Sequence, residues 1–250
     1  MSGAESSPQA SNLAIAIENL YVAFQTYILP DFTDPCPCCH SEEDEALIRS
    51  KPLRELGEPE LISFAFDALL TWGDSRVFRH FLPRLFELMT IPYGPDYFAI
   101  DPEILVSKLR HEKWREWPTV EQAAVGTFLH ALWHARLGDM ERAELADQSD
   151  TWLCTIAQAE DTLAPYLAQW QLDDRQTAID ALSAFILTTS IVESGGEDRD
   201  TFWADRENQY AELQSWVRSA EVKAVLYQAL ISSTDERRAE FQAAISTLSY

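Results

Sequence analysis

The pentapeptide Cys36-Pro37-Cys38-Cys39-His40 puts three thiols and an imidazole side by side. Cys36 and Cys39 have the C-x-x-C spacing of a zinc knuckle, in which two thiolates reach one tetrahedral ion. No second C-x-x-C or H-x-x-x-H lies nearby, and neighbours as crowded as Cys38, Cys39 and His40 do not easily share one ion. The remaining ligands must come from elsewhere, His80 or His111 being available. The metal candidates are therefore Cys36, Cys39, His40 and His80, with zinc the cofactor such a set would take. A redox reading uses the same pair, because the thiols precede a predicted helix whose N-terminus favours thiolate. Glu42, Glu43, Asp44 and Glu45 oppose it by raising the thiol pKa, and no βαβ pattern surrounds the motif. The third reading is a proline-stiffened loop whose cysteines are inert.

Other chemistry-bearing residues are fewer. His130 and His134 are four apart on a predicted helix and share a face, a spacing that can hold an ion. No Asp or Glu completes a metalloprotease or di-iron pattern with them, so packed, hydrogen-bonded histidines are the ordinary expectation. Arg76, Arg79, His80 and Arg84 largely share one helix side. Arg76, Arg79 and Arg84 are candidates for an anion or partner contact, or they pair with the chain's own carboxylates. Trp114 and Trp117 sit in the polar stretch from Lys113 to Pro118, where partial exposure would let them anchor a partner. There is no phosphate-binding glycine loop and no G-x-S-x-G elbow.

The elements that must position these groups read as helices. The chain has 250 residues, only eight glycines, and eleven of its twelve prolines lie at or before Pro118. The second half is rich in Ala, Leu, Gln and Glu, and alternating strand patterns are scarce. Local signals place the boundaries: Asn12 capping a first helix to about Tyr27, Ser41 capping a second, and Pro59 in the first turn of a helix to Trp72 that Gly73 ends. Asp74 starts the next, which Pro83 should kink or divide. Asp101-Pro102 and Pro118 open two more, and later starts fall near Asp139, Asp161, Asp173, Asp200, Ser219 and Ser233. The fold class is all-α, with about 11–12 helices as stacked antiparallel pairs, either an irregular HEAT-like α-solenoid or an orthogonal bundle. A disordered tail is expected over 1–12 and one helical domain over 13–250, with a soft boundary near 91–97 where Pro92, Gly94 and Pro95 cluster.

The net charge is −22, from 41 acids against 19 bases. That argues against a nucleic-acid or anionic-membrane binder. No apolar run is long enough to span a membrane. The first basic residue is Arg49, so neither a secretory signal nor a transit peptide is expected, and a cytoplasmic location with free thiols follows. Between Leu137 and Asp200 there are 14 acids and three bases. Asp139, Glu144, Asp147 and Asp150 are the candidates for an acidic face that docks a basic protein.

The segments Cys36-Pro37-Cys38-Cys39, Lys51-Pro52-Leu53-Arg54-Glu55-Leu56, Thr71-Trp72-Gly73-Asp74 and Phe78-Arg79-His80-Phe81-Leu82-Pro83-Arg84 resemble an uncharacterised family of bacterial proteins. The resemblance covers about a fifth of the chain. It implies a bacterial source and carries no activity. Two function classes follow from the residues. One is a non-enzymatic acidic interaction protein that binds a basic protein partner, immunity or antitoxin proteins being one form. The alternative is a metal- or thiol-dependent enzyme using the Cys36–Cys39 cluster.

Overall fold

The computed structural model describes residues 8–31, 33–91, 100–139, 145–189, 191 and 201–248. Among them the protein is all-α: twelve α-helices joined by turns and short 3-10 segments, with one isolated bridge between Ala68 and Trp72. Its contacts divide into two compact units, Met1–Leu132 and Trp133–Tyr250. The division falls inside a helix and not near 91–97, of which 92–97 lie outside the described residues.

The first unit contains α1 (Pro8–Phe24), α2 (Glu42–Leu47), α3 (Glu58–Asp67), α4 (Ser75–Leu88), α5 (Pro102–His111) and most of α6 (Thr119–Asp139). α1 already begins at Pro8 and passes through Asn12, where a tail was expected, and 1–7 of the expected tail lie outside the described residues. Other starts obey their local signals. The Ser41 side chain accepts from Asp44 N–H and the Asp44 carboxylate accepts from Ser41 N–H, a reciprocal capping box. Asp74 and Asp101 each accept two backbone N–H bonds at the starts of α4 and α5. Pro83 is buried within α4, which runs undivided past it.

α3 ends at Asp67, five residues short of the expected Trp72. Leu69 takes a left-handed φ of 69° and Gly73 one of 71°. The Asp67 carbonyl then accepts from the backbone N–H groups of Leu70, Thr71 and Trp72 at 3.0–3.1 Å. From behind, the buried Lys108 on α5 donates to the carbonyls of Phe66 and Ala68 at 2.8 and 2.9 Å. A cation is favoured at this negative end of the helix dipole and satisfies the orphan carbonyls. The result is a hydrogen-bonded ledge over residues 68–73.

Helix α4 packs on α1 and α3, and α3 also packs on α5. Leu20, Phe24, Leu61, Phe64, Phe78, Phe81, Leu85, Phe86 and Phe128 are withdrawn from solvent between them. Each such side chain contributes roughly 1.5–3 kcal/mol of burial.

The second unit contains α7 (Leu145–Ala159), α8 (Ala164–Gln171), α9 (Gln176–Thr188), α10 (Glu207–Val217), α11 (Ala220–Ser232) and α12 (Asp235–Thr247). Helix α9 packs against α7, α11 and α12, while α8 packs against α10 and α11. Trp170 is the aromatic hub, with ring centroids 5.2 Å from Trp133, 5.6 Å from Phe185 and 5.4 Å from Trp216. Its indole N–H donates to Ala178 O, as a buried tryptophan requires.

Candidate metal centre

The cysteine turn is built on the 68–73 ledge. Cys36 N–H donates to Thr71 O at 2.7 Å. Pro37 then turns the chain, and Cys36 O accepts from the N–H groups of Cys39 and His40, both at 3.0 Å. This closure brings the sulfurs of Cys36, Cys38 and Cys39 within 4.8 Å of one another. Cys36 Sγ is 2.7 Å from Cys38 Sγ, which is 3.6 Å from Cys39 Sγ. All three are free thiols, as is the buried Cys154 of the other unit; Cys36 is half-buried and Cys38 and Cys39 are exposed. The contact with the Cys38 thiol holds the Cys36 pKa below its ordinary value, with the backbone N–H groups of Cys38 and Cys39 helping. Cys38 is pushed up to about 11 because its proton is shared with Cys36 and Cys39.

His40 does not join the sulfurs. Its side chain is only 4% exposed, with Nε2 3.6 Å from the Asp67 carboxylate. The same nitrogen is 3.2 Å from Thr71 Oγ1, and the ring lies 4.4 Å from that of Trp72. The imidazole is therefore an anchor between the turn and its ledge. His80 is engaged elsewhere as well, with Nδ1 2.7 Å from Tyr27 O, and burial lowers its pKa. It lines an open groove of about 510 Å³ with Tyr21, Arg54 and Pro83. Among the described residues, Cys36, Cys38 and Cys39 are the one group of three metal-type side chains within mutual reach. Spacing alone selected Cys36 and Cys39 and missed Cys38. The available signal was Pro37 at the second position of a four-residue turn, which folds the middle sulfur onto the same side.

Two of the four acids after the turn are engaged locally. Asp44 caps Ser41. Glu45 accepts from Arg49, Thr33 and Trp72 Nε1, the last at 3.3 Å, so it braces the wall behind the turn. Glu42 and Glu43 stay exposed.

The arginine group separates. Arg79 points inward, 3.3 Å from Glu121, 4.0 Å from Glu112, 2.7 Å from Tyr27 Oη and over the Trp117 ring at 4.2 Å. Arg84 donates to Leu56 O and Glu87, both at 2.6 Å. Only Arg76 of the three is exposed. Arg79 and Arg84 thus serve the chain's own carboxylates and carbonyls rather than an external anion. Trp114 and Trp117 are buried, correcting their expected exposure. Trp117 Nε1 donates to Glu112 O, and Arg115 covers the Trp114 ring.

His130 and His134 have partners elsewhere in the protein, and no third metal-type side chain among the described residues closes on them. Of the expected acidic face, Asp139, Glu144 and Asp147 lie outside the described side chains, and Asp150 is half-buried with a partner. No helix among the described residues is long and apolar enough to cross a membrane.

No family model, curated protein or solved structure matches this chain at a significant level.

Proposed function

We propose that the protein acts by binding: it is an acidic helical module that docks a basic protein, as immunity or antitoxin proteins do when they mask a basic toxin. The supporting observation is the excess of exposed acids over exposed bases among the described residues of the second unit. In the second unit Arg175 is turned onto Asp173 and the His134 carbonyl, Arg206 onto Glu160 O, and Arg237 onto Asp180. Asp161, Asp174, Asp205, Glu207 and Glu221 meanwhile stand exposed. Among the described residues, Arg218 and Arg238 are the exposed bases there, outnumbered by those acids, and in a chain of net charge −22 this excess makes a negative surface that attracts a basic partner and accelerates encounter. The test is capture of binding proteins at low and high salt, followed by Asp161→Lys, Asp174→Lys and Asp205→Lys together. A basic protein retained at low salt, released at high salt and lost with the triple variant is expected. A partner indifferent to both salt and charge reversal overturns the reading.

A second reading, a metal- or thiol-dependent enzyme at the cysteine turn, is favoured by the convergence of three sulfurs. It is tested by whether the purified protein, with and without Cys36→Ser, turns over small-molecule hydrolysis or disulfide substrates.

A further inference from the structure

We propose that Cys36, Cys38 and Cys39 hold one zinc ion through three thiolates, with the fourth coordination position open to an external ligand. The site requires no basic partner, so it stands or falls apart from the first reading; it would supply the metal of the second, which needs turnover besides.

The first argument is why the sulfurs are together. Cys38 and Cys39 are exposed, so hydrophobic burial gives them no reason to crowd. The backbone brings them together instead, through the Cys36–Thr71 bond and the two N–H bonds onto Cys36 O. Zn–S bonds of about 2.3 Å in a tetrahedron set sulfur–sulfur edges of about 3.8 Å. The 3.6 Å between Cys38 and Cys39 already matches such an edge. The 2.7 Å between Cys36 and Cys38 must open by about 1 Å to reach such an edge.

The second argument selects the metal. Thiolates prefer soft or borderline cations, which excludes calcium and magnesium. The exposed carboxylates of Glu42 and Glu43 follow the turn in the chain and add negative charge to that of the three thiolates. A divalent ion neutralises more of that charge than monovalent copper does. Each thiol releases its proton to solvent as its S–Zn bond forms.

The third argument concerns the fourth ligand. His40, the nearest imidazole in sequence, is committed to Thr71 and Asp67. His80, which meets Tyr27 O through Nδ1, is not among the metal-type side chains within reach of the three sulfurs. Three protein ligands and an accessible side correspond to an open zinc site rather than a closed structural one. His40 is a positioning residue here: it holds the turn to the ledge without touching the ion.

The test uses the full chain, reduced and stripped of metal. Zinc is titrated in competition with a chromophoric chelator, and cobalt(II) serves as the spectroscopic probe. One metal per chain is expected, with a tetrahedral cobalt spectrum and thiolate charge-transfer absorption. Cys36→Ser, Cys38→Ser and Cys39→Ser should each weaken zinc binding at least about tenfold, since even outer-shell partners are worth that much. His80→Asn and Cys154→Ala should bind as the unchanged protein does. Added imidazole should shift the cobalt bands. Absence of saturable binding, or a Cys38→Ser variant equal to the unchanged protein, overturns the three-thiolate site. A cobalt spectrum unmoved by imidazole overturns the open position. Because Cys38 and Cys39 are exposed, circular dichroism of their variants should be unchanged, which separates lost ligands from lost fold.

Discussion

The backbone N–H of Cys36 donates to the carbonyl oxygen of Thr71 at 2.7 Å, and this bond fixes where the three sulfurs stand. Thr71 is used twice, because its hydroxyl also meets His40 Nε2 at 3.2 Å. The turn is thus clamped at its first and last residues by one side of the ledge. The other side of that ledge is gripped by Lys108 through Phe66 O and Ala68 O. The geometry of an exposed cluster accordingly depends on a buried cation on a different helix.

Lys108→Met should therefore destabilise the first unit. It leaves the buried Ala68 carbonyl and the part-buried Phe66 carbonyl without their donor, at a cost of about 2 kcal/mol. Burial lowers the Lys108 pKa to about 8, with the Asp67 carboxylate acting in the opposite direction. An unfolded lysine titrates near 10.4, so between about 8 and 10 the unfolded chain holds more protons than the folded one. The cost of burying the charge is present in full below that window and disappears as pH rises through it. Urea unfolding at about pH 7.5 and about pH 9.5 should show the stability gap between the unchanged protein and Lys108→Met widening at the higher pH. A gap that narrows would contradict the assignment.

Arg79 compensates two carboxylates in a poorly solvated place, Glu121 being 4% exposed. Arg79→Met should cost roughly 3–5 kcal/mol, because it abandons buried negative charge rather than merely losing an attraction. Adding Glu121→Gln to Arg79→Met should recover part of that loss. Equilibrium unfolding of the single and double variants measures both values, and a double variant no more stable than the single one refutes the pairing.

Gly73→Ala should lower the melting temperature. Gly73 has φ of 71°, and a Cβ there would sit 2.9 Å from Val77 Cβ and Cγ1. Both the left-handed backbone and the contact disfavour a side chain, at about 1–3 kcal/mol together. Thermal unfolding of the variant tests this, and an unchanged midpoint would mean the α3–α4 turn adapts freely.

What the sequence determined by itself was the helical class and most helix starts, because caps and prolines act within one turn of where they stand. Ser41 with Asp44, Asp74, Asp101 and Ser219 all cap the helices their positions announce. The chemistry-bearing pentapeptide was equally legible, since residue type and adjacency need no fold. Which of its side chains stand together was not. The His40 imidazole is held by Thr71 and Asp67, both distant in the chain, while Cys38 stands with the other two sulfurs. The end of α3 was likewise decided from outside, by Lys108 reaching from α5 to its terminal carbonyls. Trp114 and Trp117 were buried although their neighbours are polar, since the guanidinium groups of Arg115 and Arg79 lie over their ring faces. Local backbone preferences are written in neighbouring residues. The partners of buried donors, acceptors and charges are chosen among residues that only folding brings together, and those partners set the site.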